Sequence, residues 1–209
     1  MPARLLAALR PEATSRLELP SDLVRESRSR VRVAAAIGAA AYALFLIYEV
    51  TGVPGGTALE HRIDLAHDAL AVGLCAALLV VASLPALGER WVLGVALTVE
   101  TLLSALISLA VYWASFIRTG HISALTWVVP VIILFPLLVP TPPRLALLVS
   151  VMCALTMPAA LGVLAFAGQI SARASDYASA FLTGGIAVRS ESTRLNSSHG
   201  GISRMPSSA

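Results

Sequence analysis

The chain consists of long apolar runs separated by short polar segments, a pattern typical of helices that cross a membrane. Five of these runs are each about 20 residues long, enough to span about 30 Å of hydrocarbon at a rise of about 1.5 Å per residue. They lie at residues 33–53, 66–87, 91–116, 122–139 and 145–167. A sixth run, 177–188, is too short to cross. The pattern therefore predicts an all-α integral membrane helical bundle with five full transmembrane helices and a truncated sixth.

The tightest predicted turn lies between the fourth and fifth runs, where residues 127–150 read WVVPVIILFPLLVPTPPRLALLVS. Prolines interrupt a helix, and three of them fall at positions 140, 142 and 143. Arg144 is the one charged residue of this stretch, and arginine in a short loop favours the cytoplasmic side of a membrane. We expect a tight cytoplasmic turn at residues 140–144.

Composition agrees with a membrane protein. Hydrophobic residues make up 57% of the 209 residues and charged residues 13%, with a mean hydropathy of +0.81. Soluble domains contain about 25% charged residues, so this chain has too few charges to cover a soluble core. The net charge of +3 does not indicate nucleic-acid binding, because the arginines are not clustered with aromatic residues on one face. The expected partner is the lipid bilayer, and neither a nucleic acid nor a cofactor is expected.

Residues 1–32 are predicted to be a cytoplasmic N-terminal segment that contains a juxtamembrane helix. Seven arginines precede the first span, and the positive-inside rule then places the N-terminus in the cytoplasm. The predicted location is a membrane that the chain crosses several times. Ser21 and Asp22 follow Pro20 and predict a helix start, so residues 22–32 should lead as one helix into the first span.

The transmembrane domain is predicted at residues 33–188, and the character of the sequence changes at Arg189. Residues 192–209 read STRLNSSHGGISRMPSSA, which resembles a peptide produced when sequencing-adapter DNA is translated at a contig edge. The resemblance implies that residues 189–209 are a non-native, disordered tail and that the native chain was interrupted in its sixth span. The alternative is an ordinary disordered, serine-rich cytoplasmic tail.

Small residues dominate the first half of the first span, where residues 34–41 read AAAIGAAA. Such residues let helix backbones approach closely. This pattern predicts close helix packing, and a homodimer through small-residue helix faces is one use of it. An alanine-rich composition without a packing role is the alternative.

Two acidic residues lie inside predicted spans, Glu100 near the middle of the third and Glu49 near the outer end of the first. An ionisable side chain at membrane depth indicates a functional site by default, so both are candidates for ligand or ion coupling. A hydrogen bond between helices, or burial as the neutral acid, is the structural alternative for Glu100. Glu49 has the alternative of reaching the membrane interface.

A candidate metal site comprises His61, Asp64, His67 and Asp68, just before and within the start of the second span. If the helix begins early, positions 61, 64 and 68 share one face, and histidine with carboxylate suits zinc-like cations. A polar collar at a helix start has the same pattern, with Asp64 or Asp68 favoured by the positive end of the helix dipole.

Motifs of known catalytic chemistry are absent from the sequence. It contains no phosphate-binding Walker loop, no GxSxG, no HExxH and no zinc-finger spacing. No serine and histidine form a defensible nucleophile–base pair. The sequence therefore assigns no catalytic residue.

Two segments carry a resemblance to a known family. Residues 17–35 read LELPSDLVRESRSRVRVAA, and residues 137–164 read LLVPTPPRLALLVSVMCALTMPAALGVL. In this order, and with six spans, the chain resembles over about residues 17–188 the N-terminal membrane region of bacterial receptor-type serine/threonine protein kinases. The resemblance implies a location in the bacterial inner (cytoplasmic) membrane and a cytoplasmic kinase domain after the last span; related layouts end in nucleotide cyclase or histidine kinase modules. None of the family's catalytic motifs occurs in these 209 residues.

Two functional hypotheses follow. The chain is either the membrane-embedded sensor or anchor of a signalling protein whose catalytic domain is missing, or a small self-contained transporter or channel-like protein in which Glu100 is the coupling residue. Inverted repeats favour transporters, and the first three spans show no convincing match to the last three. The ligand stays unknown under both hypotheses.

Overall fold

The fold consists of six α-helices in the computed structural model, which describes residues 21–52, 56–123, 126–139 and 141–200. The helices are α1 (Ser21–Thr51), α2 (Ala58–Ser83), α3 (Glu89–Thr119), α4 (Val128–Leu138), α5 (Pro143–Phe166) and α6 (Ala174–Gly200). These four ranges contain no β-strand. The predicted all-α fold class is confirmed. Residues 1–20, with three of the N-terminal arginines, lie outside the described residues, as do Pro140 of the predicted turn and residues 201–209.

Four of the six helices, α1, α2, α3 and α5, are long and apolar enough to cross a membrane. Large apolar side chains on the outside of the bundle, such as Leu44, Trp91 and Phe166, are left uncovered by protein. A surface of this kind is stable in lipid rather than in water. The helices therefore indicate a multi-pass membrane protein, as predicted from the sequence.

Helix α2 begins earlier than predicted, at Ala58 rather than near residue 66. The Thr57 hydroxyl accepts a hydrogen bond of 3.2 Å from the backbone N–H of Glu60, which caps the first turn. The sequence signal is a threonine three residues before a glutamate, which is typical of a helix N-terminus. The candidate polar residues of the second span consequently lie on a helix instead of in a loop.

The predicted fourth span, 122–139, contains only the 11-residue helix α4. Eleven residues rise about 16 Å, about half of the hydrocarbon thickness. Ser123 and Thr126 precede α4 without belonging to a helix, and the Thr126 hydroxyl donates to the Met157 sulfur of α5 at 3.2 Å. The non-helical residues before α4 are thus bonded to α5, and the helix begins only at Val128.

Helix α6 extends beyond the predicted end of the sixth run at Val188 and reaches Gly200. Residues 189–200, expected as part of a disordered tail, are therefore helical in the structure. Helix α6 is not among the four that are apolar enough to cross a membrane, because its second half is polar. The predicted count of five full spans and a truncated sixth stays a prediction.

Helix α1 continues from the juxtamembrane segment through the first apolar run without a break. Val31 and Ala35 are buried, and a Cβ atom placed on Gly38 would lie 3.0 Å from the Cys75 sulfur of α2. These residues are spaced by four and three positions, so they share one face of α1. The small residues are thus used for packing within one chain; the homodimer stays a prediction.

Helices α3 and α5 form the centre of the bundle and run in the same direction. The Thr101 hydroxyl lies 3.9 Å from the Cys153 sulfur, and the Ser108 hydroxyl lies 3.2 Å from that of Thr156. Higher residue numbers on α3 thus contact higher residue numbers on α5, so the two helices are parallel. The connection between them, of which α4 is the helical part, consequently returns the chain to the end of the bundle where α3 begins.

The turn between α2 and α3 is attached to the juxtamembrane part of α1. The Arg28 guanidinium donates to the backbone carbonyl of Leu84 at 3.2 Å and also to that of Leu87. Ser27 and Val31, on either side of Arg28, are buried. The arginine therefore supplies a donor to the Leu87 carbonyl just beyond α2 and a second donor to the Leu84 carbonyl, which also accepts from the Leu87 N–H at 3.3 Å.

Replacing Arg28 with alanine should lower the free energy of unfolding by about 1.5–3 kcal/mol, since a charged donor to two carbonyls is lost. Thermal unfolding of the purified protein in detergent measures the change. Arg30→Ala is the matched control, because Arg30 makes only an exposed pair with Glu26 one turn away and should change stability by about 0.5 kcal/mol or less. Equal effects of the two substitutions would contradict this role of Arg28.

Candidate functional site

Polar and charged side chains gather at the end of the bundle where α1 ends, α2 begins and α3 ends. We call this region the charged end. Its members from α1 and α2 are Glu49, Glu60, His61, Asp64, His67 and Asp68, and α3 contributes Arg118. All four residues of the predicted metal site lie here, together with one of the two predicted coupling residues.

Glu60 is the most deeply buried acid of the charged end, with 4% of its surface exposed. Its Oε1 accepts a hydrogen bond of 2.6 Å from Arg118 Nε and a second one from Arg118 Nη2. The Arg118 side chain remains 63% exposed, so the pair is open to solvent on one side. Because an isolated buried carboxylate is costly, Arg118 is the group that allows the first turn of α2 to pack against α3.

Glu49 and His61 form a second pair, between α1 and α2. His61 Nδ1 lies 3.1 Å from Glu49 Oε2, and about a quarter of each side chain is exposed. The contact with His61 explains how the Glu49 carboxylate is tolerated near the end of the first span. The structure thus places Glu49 in a contact between helices, beside the cavity rather than in its wall.

His67 and Asp68 form a third pair, deeper in the bundle, with 2.9 Å between His67 Nδ1 and Asp68 Oδ1. The ring of Tyr42 from α1 meets the His67 ring edge-on, with 5.6 Å between the ring centres. His67 Nε2 is buried and has no hydrogen-bond partner among the described residues. When the neutral ring donates its Nδ1–H to Asp68, Nε2 is left as an acceptor.

A cavity of about 410 Å³ opens between α2, the end of α3 and the residues before α4. Asp64 and His67 line it from α2, and Trp127 lines it from the approach to α4. The remaining lining residues are Ala110, Val111, Ala114, Ser115, Arg118, Thr119 and Ser123. Apolar and aromatic walls with a few convergent polar groups are typical of small-molecule sites.

The four residues of the predicted metal site do not come together as a ligand set. His61 is paired with Glu49, His67 is paired with Asp68, and Asp64 faces the cavity. No group of three His, Cys, Asp or Glu side chains in the described part of the chain could hold a metal ion. The polar residues at the start of α2 are instead divided among pairs with neighbouring groups.

Glu100 lies apart from the charged end, in the interface between α3 and α5, and is 1% exposed. Both of its carboxylate oxygens are buried without a hydrogen-bond partner among the residues that the structure describes. The Ser150 hydroxyl, which is fully buried, is likewise unpartnered within the described ranges, whereas the buried Ser104 hydroxyl lies beside the Cys153 thiol of α5. Glu100 thus differs from Glu60, Glu49 and Asp68 of the charged end, each of which has a side-chain partner in the structure.

Sequence reasoning missed Glu60, Arg118, Tyr42 and Trp127 as parts of this region. Two signals were available: the threonine three positions before Glu60, and the single arginine at the end of the third span. For Tyr42 and Trp127 no sequence signal exists, because their positions depend on how α1 and α4 pack against α2 and α3.

Removing the Arg118 guanidinium should lower the free energy of unfolding by about 2–3 kcal/mol, since Glu60 then keeps a buried charge without a cation. We expect a smaller loss of unfolding free energy than for a fully buried ion pair, because the Arg118 side chain is open to solvent. Thermal unfolding of Arg118→Ala in detergent measures it.

A second substitution separates charge from packing. Glu60→Gln added to Arg118→Ala should restore about 1 kcal/mol, because the uncompensated charge is gone. Arg62→Ala, on an exposed face of the same helix, is the control and should leave stability unchanged. If the double variant is no more stable than Arg118→Ala, the charge is not the cause.

The chain matches no protein-family model, no curated protein and no solved structure.

Proposed function

We propose that the chain is the membrane-embedded sensor region of a bacterial signalling protein, and that it binds a small organic cation at the charged end. The observation that carries this proposal is the cavity of about 410 Å³ that has Asp64 and His67 in one wall and Trp127 in another. A volume of this size suits a small metabolite rather than a peptide.

The charges around the cavity favour a cation. Arg118 lines it, but its charge is balanced by Glu60, so Asp64 supplies the excess charge of the wall. His67 lines the same wall of the cavity, and its Nδ1 lies 2.9 Å from Asp68 Oδ1. The exposed indole of Trp127 supplies an aromatic face, which attracts cations.

The arginines of the N-terminal segment support a cytoplasmic N-terminus in the bacterial inner membrane. In that orientation α1 runs outward, and the charged end at its far terminus meets the external medium. The cavity would then sample ligands outside the cell, while a catalytic domain after α6 would lie inside. This arrangement is the one expected of a receptor.

A chain of contacts connects the cavity with α6. Trp127 lines the cavity, and the neighbouring Thr126 hydroxyl bonds to the Met157 sulfur of α5 at 3.2 Å. A Cβ atom on Gly184 of α6 would lie 3.0 Å from Met157 Cε, so α5 and α6 are in close contact there. A ligand that moves Trp127 would also shift Thr126, Met157 and the contact between α5 and α6. This supports α6 as the helix that passes the signal to the next domain.

The proposed output is a serine/threonine protein kinase domain, in line with the resemblance of residues 17–188. Under this proposal the native protein has six spans, α4 with its flanking residues being the fourth and α6 the interrupted sixth. Residues 189–209 are then foreign to the native protein. The parallel direction of α3 and α5 supports this, because residues 120–142 must cross the length of the bundle.

The Asp64 carboxylate should be required for binding of an amine. With the purified chain in detergent micelles, ethanolamine at about 100 Kd should raise the free energy of unfolding by about 2.7 kcal/mol. The neutral analogue ethylene glycol should have no such effect. Asp64→Asn should abolish the response, because the excess negative charge of the wall is lost.

Glu26→Gln is the matched control, since Glu26 is exposed at the opposite end of α1. It should respond to ethanolamine as the unmodified protein does. Equal stabilisation by ethanolamine and ethylene glycol, or an undiminished response of Asp64→Asn, would contradict the cation-binding role.

The reading frame of the native gene tests the output domain. Amplification outward from codon 188 in the source DNA should recover a completed sixth span followed by a glycine-rich loop and an HRD-type catalytic loop. A frame that reproduces residues 192–209, or that stops soon after the sixth span, would refute the kinase proposal. The small transporter or channel would then be the remaining hypothesis.

A further inference from the structure

His67 belongs both to the wall of the cavity and to a buried pair. It lines the cavity from α2 together with Asp64, and its Nδ1 lies 2.9 Å from Asp68 Oδ1. Asp68 is 6% exposed, and the Tyr42 ring of α1 contacts the imidazole edge-on. A titratable ring thus lies at the border between the cavity and the α1–α2 interface.

The hydrogen bonds of His67 fit a neutral ring. When Nδ1–H donates to the Asp68 carboxylate, Nε2 is buried with no hydrogen-bond partner in the part of the chain that the structure describes. A neutral imidazole has no proton on Nε2, whereas an imidazolium in this position would bury a charged N–H donor. Because an unmade hydrogen bond costs more for a charged group, the protonated ring has to move until Nε2–H reaches an acceptor.

The Asp64 carboxylate is an acceptor within reach of a ring that turns toward the cavity. Asp64 and His67 are three positions apart on α2, so their Cβ atoms lie about 5–6 Å apart on one face of the helix. Both residues line the same cavity of about 410 Å³, which gives the ring room to turn. Among the described residues no side chain donates a hydrogen bond to Asp64, so its oxygens are open to a new donor.

We propose that protons from the external medium regulate the organic-cation site through His67. Nε2 takes up a proton from solvent in the cavity, the imidazolium turns toward Asp64 and neutralises it, and the bound ammonium ligand is released. The carboxylate has one cationic partner in either state, which is the ligand or the imidazolium. This regulation rests on the cation-binding role and the outward orientation proposed for the charged end.

The groups around His67 can accommodate an imidazolium. Helix α2 packs against α1 and α3. The titratable and charged groups near the ring are Tyr42 and Glu49 of α1, Arg118 of α3, and Glu60, His61, Asp64 and Asp68 of α2 itself. Arg118 is bound to Glu60, and Glu49 contacts His61. Asp64 and Asp68 therefore remain as the acids that can stabilise a positive charge on the His67 ring.

The direction of the pH effect follows from the charge of the ring. Histidine ordinarily changes from neutral to protonated between about pH 8 and about pH 5. An ammonium ligand should therefore bind tightly at the upper end of this range and weakly at the lower end. Since linkage is reciprocal, bound ligand must in turn oppose proton uptake by His67.

Ethanolamine titrations of the purified full chain in lipid nanodiscs test this competition, because an aliphatic amine stays protonated from about pH 8 to about pH 5.5. The apparent Kd, obtained from the ligand-induced thermal shift at each pH, should be about tenfold higher at the lower pH. His67→Gln should give the same Kd at both pH values. Glutamine keeps an N–H donor for Asp68 but cannot take up a proton.

The other histidines provide the matched control. The chain has four histidines, so a variant with His61→Gln, His121→Gln and His199→Gln retains His67 alone. This triple variant should keep the tenfold difference in Kd. It also decides the result should His67→Gln fail to fold, because it tests His67 without replacing it.

Nitrogen NMR of the triple variant, labelled at the histidine nitrogens, observes the proton itself. Nε2 of the single remaining histidine should change from a bare to a protonated nitrogen as the pH falls. Saturating ethanolamine should move this change to lower pH. A titration that ethanolamine leaves in place would refute the competition between ligand and proton.

The outcomes separate this regulation from the cation site itself. Absence of ethanolamine binding at every pH refutes the site, and the regulation with it. Binding with the same Kd at both pH values, or a pH dependence that survives in His67→Gln, refutes the regulation alone. A tenfold difference that requires His67, with an Nε2 titration that ethanolamine shifts, supports it.

Discussion

The cost of an unpaired charge in hydrocarbon controls the arrangement of this protein more than any other factor. Three buried or half-buried acids have a partner on a neighbouring group: Glu60 is bonded to Arg118, Glu49 contacts His61, and Asp68 contacts His67. Because Arg118 lies on α3 and Glu49 on α1, two of these pairs fix the ends of three helices against one another. The cavity lies beside these pairs and is lined by Asp64 and His67 of α2 and by Arg118 of α3.

The same requirement explains the contrast between the two regions of the bundle. At the charged end, solvent is close and every acid has a basic or histidine partner or faces the cavity. In the α3–α5 interface, solvent is excluded, and the titratable groups that act on Glu100 among the described residues are the Glu191 carboxyl and the Cys153 thiol, neither of which carries a positive charge. One physical rule therefore accounts for both regions: a charge far from solvent is costly, so the acids of the charged end are paired, and Glu100 cannot stay an unpaired carboxylate.

The backbone imposes a further constraint, since in lipid all N–H and C=O groups must be bonded within the protein. Helices satisfy it directly, and the segments between them need other bonds. At the approach to α4 the Val129 N–H donates to the Thr126 carbonyl at 3.3 Å, and at the other end of the bundle Arg28 donates to carbonyls of the α2–α3 turn. The side-chain bond from Thr126 to Met157 joins α4 to α5, and the bonds from Arg28 join α1 to the α2–α3 turn.

The sequence by itself determined the helical class and the approximate positions of the long apolar helices, because hydrophobicity over about 20 residues depends on local composition alone. It also identified Glu100 and the polar start of α2 as unusual. Only the tertiary structure decided that α4 is short and that His61, Asp64 and His67 belong to separate pairs or to the cavity instead of one metal site. These properties depend on which helix faces meet, and the physical reason is that partners distant in the chain, such as Arg118 for Glu60, are selected by packing and by charge neutralisation.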